Sequence, residues 1–329
     1  MEKQVLKRKL SPVFRWLFWV LLVQFILINI SAAFYADKLS RVNAADEIPS
    51  ATSSNNIFTK TWRLFTGPRQ FQSLIADYPS FAFDTVLLKT DKGIYIEGWY
   101  SQTDSVSKGT VLLFHGVTLN KGRVLAEAAE FRFLGYDVLL IDFRAHGNSG
   151  SKTTTIGVRE AEEVKLAYDY AAQKGEKNIY IWGSSMGAVA VARALAKYEL
   201  KPAGVILEMP FASLQSHLRA RARALGFQGL PEKPFGFLVT CWMGWENGFN
   251  GLKHSTVSYA KKINVPVLLQ YGMRDTYVRQ EETNNVFAAI ASSNKKLVGF
   301  ETAAHESLLQ NDQLKWETEV KQFLLTNSR

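Results

Sequence analysis

Cys241 is the only cysteine in 329 residues, which excludes an internal disulfide framework and a cysteine-rich zinc site. A phosphate-binding loop and a dinucleotide fingerprint are also missing. Gly147-Asn-Ser-Gly150 bears glycines without the spacing either motif needs. There is no metal signature, so neither a cofactor nor a metal is expected. Acidic residues are the scarcer charge, 30 Asp and Glu against 39 Lys and Arg, for a net +9. Residues 1–15 hold Lys3, Lys7, Arg8, Lys9 and Arg15 against Glu2, which is +4 of that total, so the body carries only +5. A mildly basic body without a basic helix or zinc-finger spacing gives no nucleic-acid partner. With 47% apolar and 21% charged residues, a disordered or coiled-coil chain is excluded.

Directly behind the basic cluster stands an uncharged apolar run, "WLFWVLLVQFILINISAAFYA", from Trp16 to Ala36. A helix of about 20 apolar residues crosses a bilayer core, and positive charge before it keeps the amino end cytoplasmic. The expectation is a cytoplasmic segment at 1–15, a transmembrane anchor at 16–36 and a body on the extracytoplasmic side. The rival is a cleaved signal peptide, with Ser31-Ala32-Ala33 as the small-residue site and a secreted product. Against it, the core from Trp16 to Ile30 is long, bulky and aromatic for a signal. A buried helix of a soluble domain would show a one-sided apolar face, which this run lacks. Residues 37–80 read as a polar stalk and a short docking segment around Trp62, Leu64 and Phe65.

From about Phe81 the pattern becomes regular. "FDTVLLKTDKGIYIEGWY" is two strand-like runs around Asp91-Lys92-Gly93, a hairpin. Buried-strand runs follow at 110–116, 137–143, 178–183, 204–211, 265–272 and 296–301, with helical stretches ending at Phe133 and covering 158–173 and 186–198. A hairpin feeding alternating strands and helices predicts an α/β domain over 81–329. Its sheet should be mostly parallel and covered by helices on both faces. A long insertion interrupts the alternation at about 212–262.

The stretch "YIWGSSMGAVAV" places Ser185 between Gly183 and Gly187 as G-x-S-x-G, on a turn from a strand to a helix. Glycines suit that turn because a Cβ two residues either side would crowd it. The pattern alone is weak: chance yields about one match per ten chains of this length. Order in the chain adds weight. A Ser…Asp…His arrangement requires an acid and then a histidine. Asp275 is the only aspartate between Ser185 and His305, and His305 is the only histidine after the last strands. Both follow strand ends, where open α/β sheets place ligands. Taken singly, each of the three is more often a structural residue. In this order they form a nucleophile, an orienting acid and a base. Glu208, after its strand, is the alternative acid. An oxyanion site needs two N–H donors. The amide of Met186 at the helix N-terminus is one candidate, and the amide of Val117 the other. His115 and Gly116 would shape the Val117 loop, or else form an ordinary strand-ending turn.

"LFHG", "DFRAHGNSG", "GSSMGA", "YGMRD" and "AAHE", in that order, resemble the α/β-hydrolase superfamily, in its single-domain esterase, lipase and peptidase-like branch. The resemblance covers Phe81 to the C-terminus and implies catalytic roles for Ser185, Asp275 and His305, with Val117 and Met186 as oxyanion donors. Asp142, Arg144, His146, Gly147 and Ser149 match the family's D-x-R-x-H-G-x-S segment, a structural loop near the site. Ala145 stands where glycine is commoner, a change expected to be tolerated.

In such relatives the 212–262 insertion forms a helical cap. Here it combines Arg219, Arg221 and Arg223 with Phe235, Phe237, Trp242, Trp245 and Phe249. One expectation is a lid selecting apolar acyl esters with an anionic end; the other is aromatics that simply pack on the core. The functional expectation is a membrane-anchored serine esterase acting on a small-molecule acyl ester. An acyltransferase or a peptidase on the same triad, or a non-catalytic binding protein of this fold, are the alternatives. Oligomeric state is not legible.

Overall fold

A computed structural model of the chain describes residues 11–44, 56–224 and 232–328. Most of the 1–15 segment, part of the stalk and seven cap residues therefore lie outside the described residues.

Helix α1 (Pro12–Ser40) is one uninterrupted helix. Ser11 caps it, and Pro12 takes the first helical position, where a missing N–H costs nothing. The helix runs four residues past the expected end at Ala36, because its character changes along its length. Val13 to Ile30 presents large apolar side chains all round. From Ser31 onward, Ser31, Ala32, Tyr35, Ala36, Leu39 and Ser40 are buried, a single stripe at helical period. The last three turns are thus an ordinary amphipathic helix seated on the body. Strand β1 (Val42–Asn43) then pairs in parallel with β2 (Gln70–Phe71). Between them, α2 (Ile57–Thr66) is tied to α1: Ser31 Oγ donates to the Phe65 carbonyl (2.6 Å) and Tyr35 Oη to that of Leu64 (2.7 Å).

The hairpin is β3 (Asp84–Lys89) and β4 (Tyr95–Ser101). Then follow β5 (Thr110–Phe114), α3 (Leu125–Phe133), β6 (Asp137–Ile141), α4 (Glu160–Gln173), β7 (Ile179–Ser184), α5 (Met186–Tyr198) and β8 (Gly204–Glu208). The cap holds α6 (Leu214–Ala224), α7 (Glu232–Glu246) and α8 (Thr256–Ala260). The chain closes with β9 (Val267–Gly272), α9 (Gln280–Ala289), β10 (Lys295–Phe300), α10 (Leu308–Asn311) and α11 (Gln313–Asn327).

The eight-stranded sheet runs β10-β9-β8-β7-β5-β6-β4-β3, parallel except at the hairpin edge. Alternating residues of β5 enter two separate cores. Leu112 and Phe114 join the side holding α4, α5 and α9, whereas Val111 and Leu113 join the side holding α3 and α11. β5 feeds α3 on one face and β7 feeds α5 on the other. The loops leaving these neighbouring strands therefore diverge, and they open a crevice at their carboxyl ends.

Candidate active site

Ser185 stands at that crevice. It has φ 52°, a left-handed conformation that a non-glycine residue rarely adopts. The hydrogen-bond register holds it there, since its N–H donates to the Glu208 carbonyl (2.8 Å). Gly187 is required sterically, because a Cβ would lie 2.2 Å from the Phe114 carbonyl oxygen. Gly183 is required too: its Cβ would meet the Gly187 backbone at 2.8 Å. Gly116 is under no such pressure, its nearest contact being an ordinary 3.5 Å. Although Ser185 is the N-cap of α5, its side chain makes no capping bond. Its Oγ lies 3.0 Å from His305 Nε2, and His305 Nδ1 lies 2.6 Å from Asp275 Oδ2. The other carboxylate oxygen of Asp275 accepts the Tyr277 and Val278 N–H groups at 2.7 and 2.8 Å. That aspartate is buried and fixed on the turn after β9. The Tyr277 ring lies 5.1 Å from the His305 ring.

The other four histidines are all buried, and burial holds each imidazole below its ordinary pKa. Two of them shape the loop after β5. His115 Nδ1 donates to the Gly116 carbonyl (2.7 Å) while its Nε2 accepts the Phe143 N–H (3.1 Å). His146 Nε2 accepts the Thr118 N–H (3.2 Å), and its Nδ1 bonds the Arg144 carbonyl. Thr118 has φ 62°, an outlier for a β-branched residue that the neutral His146 helps to hold. Between these anchors the Val117 amide is left unpaired. Among the described residues, neither it nor the Met186 amide donates to a protein acceptor. His146 was legible only as part of a loop motif; its bond to Thr118 is a tertiary fact.

Asp142 of the same motif accepts the Lys121 and Asn148 N–H groups at 2.7 and 2.9 Å. It also pairs with the Lys121 ammonium, which is fully buried, reaches Glu97 at 2.9 Å and lies over Trp99. Sequence carried no signal for Lys121, since lysine is normally solvated. Ala145 has φ 62°, which accounts for the glycine usual at that place. Lys121→Met should lower stability by about 3–5 kcal/mol, because the partner carboxylates stay buried without their cation. Urea unfolding checks this, and an unchanged midpoint contradicts it.

A cavity of about 360 Å³ opens beside Ser185 and His305, with Leu119, Val124, Trp182 and Met209 among its apolar walls. Ser184 lines it as well. So does Glu208, whose carboxylate accepts the indole N–H groups of Trp182 (2.9 Å) and Trp316 (2.7 Å). Burial, and then the neighbouring Glu127, push Glu208 up to about 8 against those donors. Held by two indoles, it is not the partner of His305. Glu127 is also raised by burial, opposed by the Ser307 hydroxyl.

The cap differs from the selective aromatic lid. Of its named residues only Arg221 lines the cavity. Phe235 packs edge-on against Tyr35 of α1 at 5.2 Å, and Trp242 faces Phe25, Ile26, Ile30 and Phe34 of the same helix across a groove. Trp245 is 75% exposed, next to Trp242. The aromatics were drawn away from the cavity because α7 supplies the surface on which α1 docks.

The family model described as serine aminopeptidase, S33, matches residues 105–233, a span that includes Ser185 and ends before Asp275 and His305. A Bacillus subtilis (strain 168) protein, YqkD, is 31% identical over 181 residues, 54% of this chain and 59% of its own length. The lysophosphatidylserine lipase ABHD12 of Danio rerio is 25% identical over 213 residues, 61% of this chain and 52% of that protein. The matched region thus spans only a little over half the length of these relatives. Among solved structures, the Pyrococcus furiosus esterase Pf2001 superposes with a TM-score of 0.62 at 27% identity, covering 76% of this chain and 94% of that one.

Proposed function

We propose, from the premise that this chain is a serine hydrolase of the α/β-hydrolase superfamily, that Ser185, His305 and Asp275 are its catalytic triad. The observation that carries this is the continuous line from Ser185 Oγ through His305 to Asp275, at 3.0 and 2.6 Å. With its proton on Nδ1 and directed at Asp275, His305 presents an Nε2 lone pair to the Ser185 hydroxyl. Ser185 Oγ attacks the ester carbonyl as His305 takes the proton, and the Val117 and Met186 amides receive the oxyanion. His305 then protonates the departing alkoxide. Water, activated by the same imidazole, releases the acid from the acyl-enzyme. Covalent labelling of Ser185 by a fluorophosphonate tests the assignment, and absence of adduct from folded protein refutes it.

The relatives' names, esterase and lysophosphatidylserine lipase, support an ester or lipid substrate. Their activities belong to those proteins.

We also infer that α1 anchors the enzyme in a membrane, with the catalytic domain outside the cytoplasm. Val13–Ile30 spans about 27 Å at roughly 1.5 Å per residue, close to the ~30 Å of a bilayer core. Asn29, a polar residue in the exposed run, bonds its side-chain amide to the Phe25 carbonyl (2.9 Å). On α2, Ile57, Phe58, Trp62 and Leu64 are exposed beside the point where α1 leaves the domain, and they extend the apolar belt. The signal-peptide alternative loses support because Ser31 and Ala32 are buried within a continuous helix. Protein isolated from membranes should therefore have an intact mass that retains residues 1–33. A mass lacking them would make the segment a signal peptide.

A further inference from the structure

We propose that Arg221 is the anion-recognising residue of this cavity and that the natural substrate is an ester carrying a fixed anion, carboxylate or phosphate, near the scissile carbonyl. The proposal rests on the triad assignment above.

Arg221 projects from α6 into the same cavity as Ser185 and His305. The three cap arginines are differently employed. Arg223 pairs with Glu232 at 3.4 Å. The Arg219 stem lies against Gly236 of α7, away from the cavity. Arg221 forms no ion pair with any described acid, and residues 225–231, which follow α6, contain none. It faces Tyr277, whose phenol is pushed up to about 12 by burial while the Arg221 cation pulls it the other way.

The remaining charged groups of the cavity do not neutralise it. The Glu208 carboxyl is engaged by the Trp182 and Trp316 indoles and that of Glu127 by the Ser307 hydroxyl, rather than by Arg221, and burial raises both. Glu306, at the rim, accepts from the Ala304 N–H and the Asn311 amide. Arg123 is the second cation, loosely paired with Asp77 at 3.5 Å where both are exposed. A half-buried guanidinium with no counter-ion is unfavourable in the free enzyme, and its planar fork matches a carboxylate or a phosphate. An anionic substrate completes it.

The test uses the full-length enzyme and two ester pairs matched in acyl length. In one, 1-octanoylglycerol is compared with 1-octanoylglycerol 3-phosphate, placing the anion on the alcohol side. In the other, p-nitrophenyl valerate is compared with p-nitrophenyl hemiglutarate, placing it on the acyl side. In at least one pair the anionic member should have the higher kcat/KM. Arg221→Met should cut that anionic-to-neutral ratio about tenfold or more, mainly through KM, and Arg221→Lys should restore part of it. The responding pair identifies the side on which the anion lies. A ratio equal in wild type and Arg221→Met for both pairs overturns the proposal while leaving the triad standing. Failure of wild type to hydrolyse any of the four overturns the triad assignment and this proposal together. A second readout is independent of turnover. Octyl phosphate should raise the Tm of Ser185→Ala protein more than that of the Ser185→Ala/Arg221→Met double variant, and equal shifts also overturn it.

Discussion

Ser185→Ala is expected to lower ester hydrolysis by about 10⁴-fold or more and to abolish the fluorophosphonate adduct. Ser184→Ala, one residue away, should retain most of the activity. The contrast follows from the backbone. Ser184 is the last residue of β7, in register with Glu208, and it lines the cavity, but the hydroxyl hydrogen-bonded to His305 is that of Ser185. Ser185 is turned out of the strand at φ 52°, with its Oγ 3.0 Å from His305 Nε2. Removing one hydroxyl would take away the proposed nucleophile and leave the proposed oxyanion amides and the cavity in place, so some residual rate over water should survive. The check is kcat/KM for p-nitrophenyl butyrate on all three proteins, beside the labelling gel. Adduct on Ser185→Ala, or its loss from Ser184→Ala, would reverse the assignment.

Asp275→Asn should lower kcat by about 10⁴-fold with little change in stability. One carboxylate oxygen of Asp275 already holds the Tyr277 and Val278 amides, a task the asparagine carbonyl oxygen can keep. The asparagine NH2 would then face His305 Nδ1 where a carboxylate oxygen now stands at 2.6 Å. A donor at that place forces the imidazole proton onto Nε2, and His305 can no longer accept the Ser185 proton. Steady-state kinetics and a melting curve on the same preparation check both halves. A loss below tenfold with unchanged Tm would mean that another acid orients His305. The obvious substitute, Glu208, is occupied by Trp182 and Trp316.

Much of this molecule was legible because its signals are local. Apolar runs such as "TVLLF" and "DVLLI" are buried on both faces, and that burial is what continuous runs report. The bracket around Ser185 was legible because Gly183 and Gly187 answer a short-range steric demand. Asp275 and His305 were singled out by order in the chain, although they lie 90 and 120 residues from Ser185. Lys121 was not legible. Its burial depends on Asp142, Glu97 and Trp99 arriving from two other strands and their loops. Nor were the cap aromatics, since composition does not say which face of α7 meets α1 and which meets solvent.

The sequence by itself determined the α/β alternation, the glycine-bracketed turn and the long apolar helix, because periodicity and steric demand act over a few neighbouring residues. Only the tertiary structure decided that Arg221 alone among the named cap residues enters the cavity, that His146 holds the Thr118 turn, and that the end of α1 is seated on the body. Each of these depends on surfaces from distant parts of the chain packing together, and packing partners are selected by three-dimensional fit rather than by local pattern.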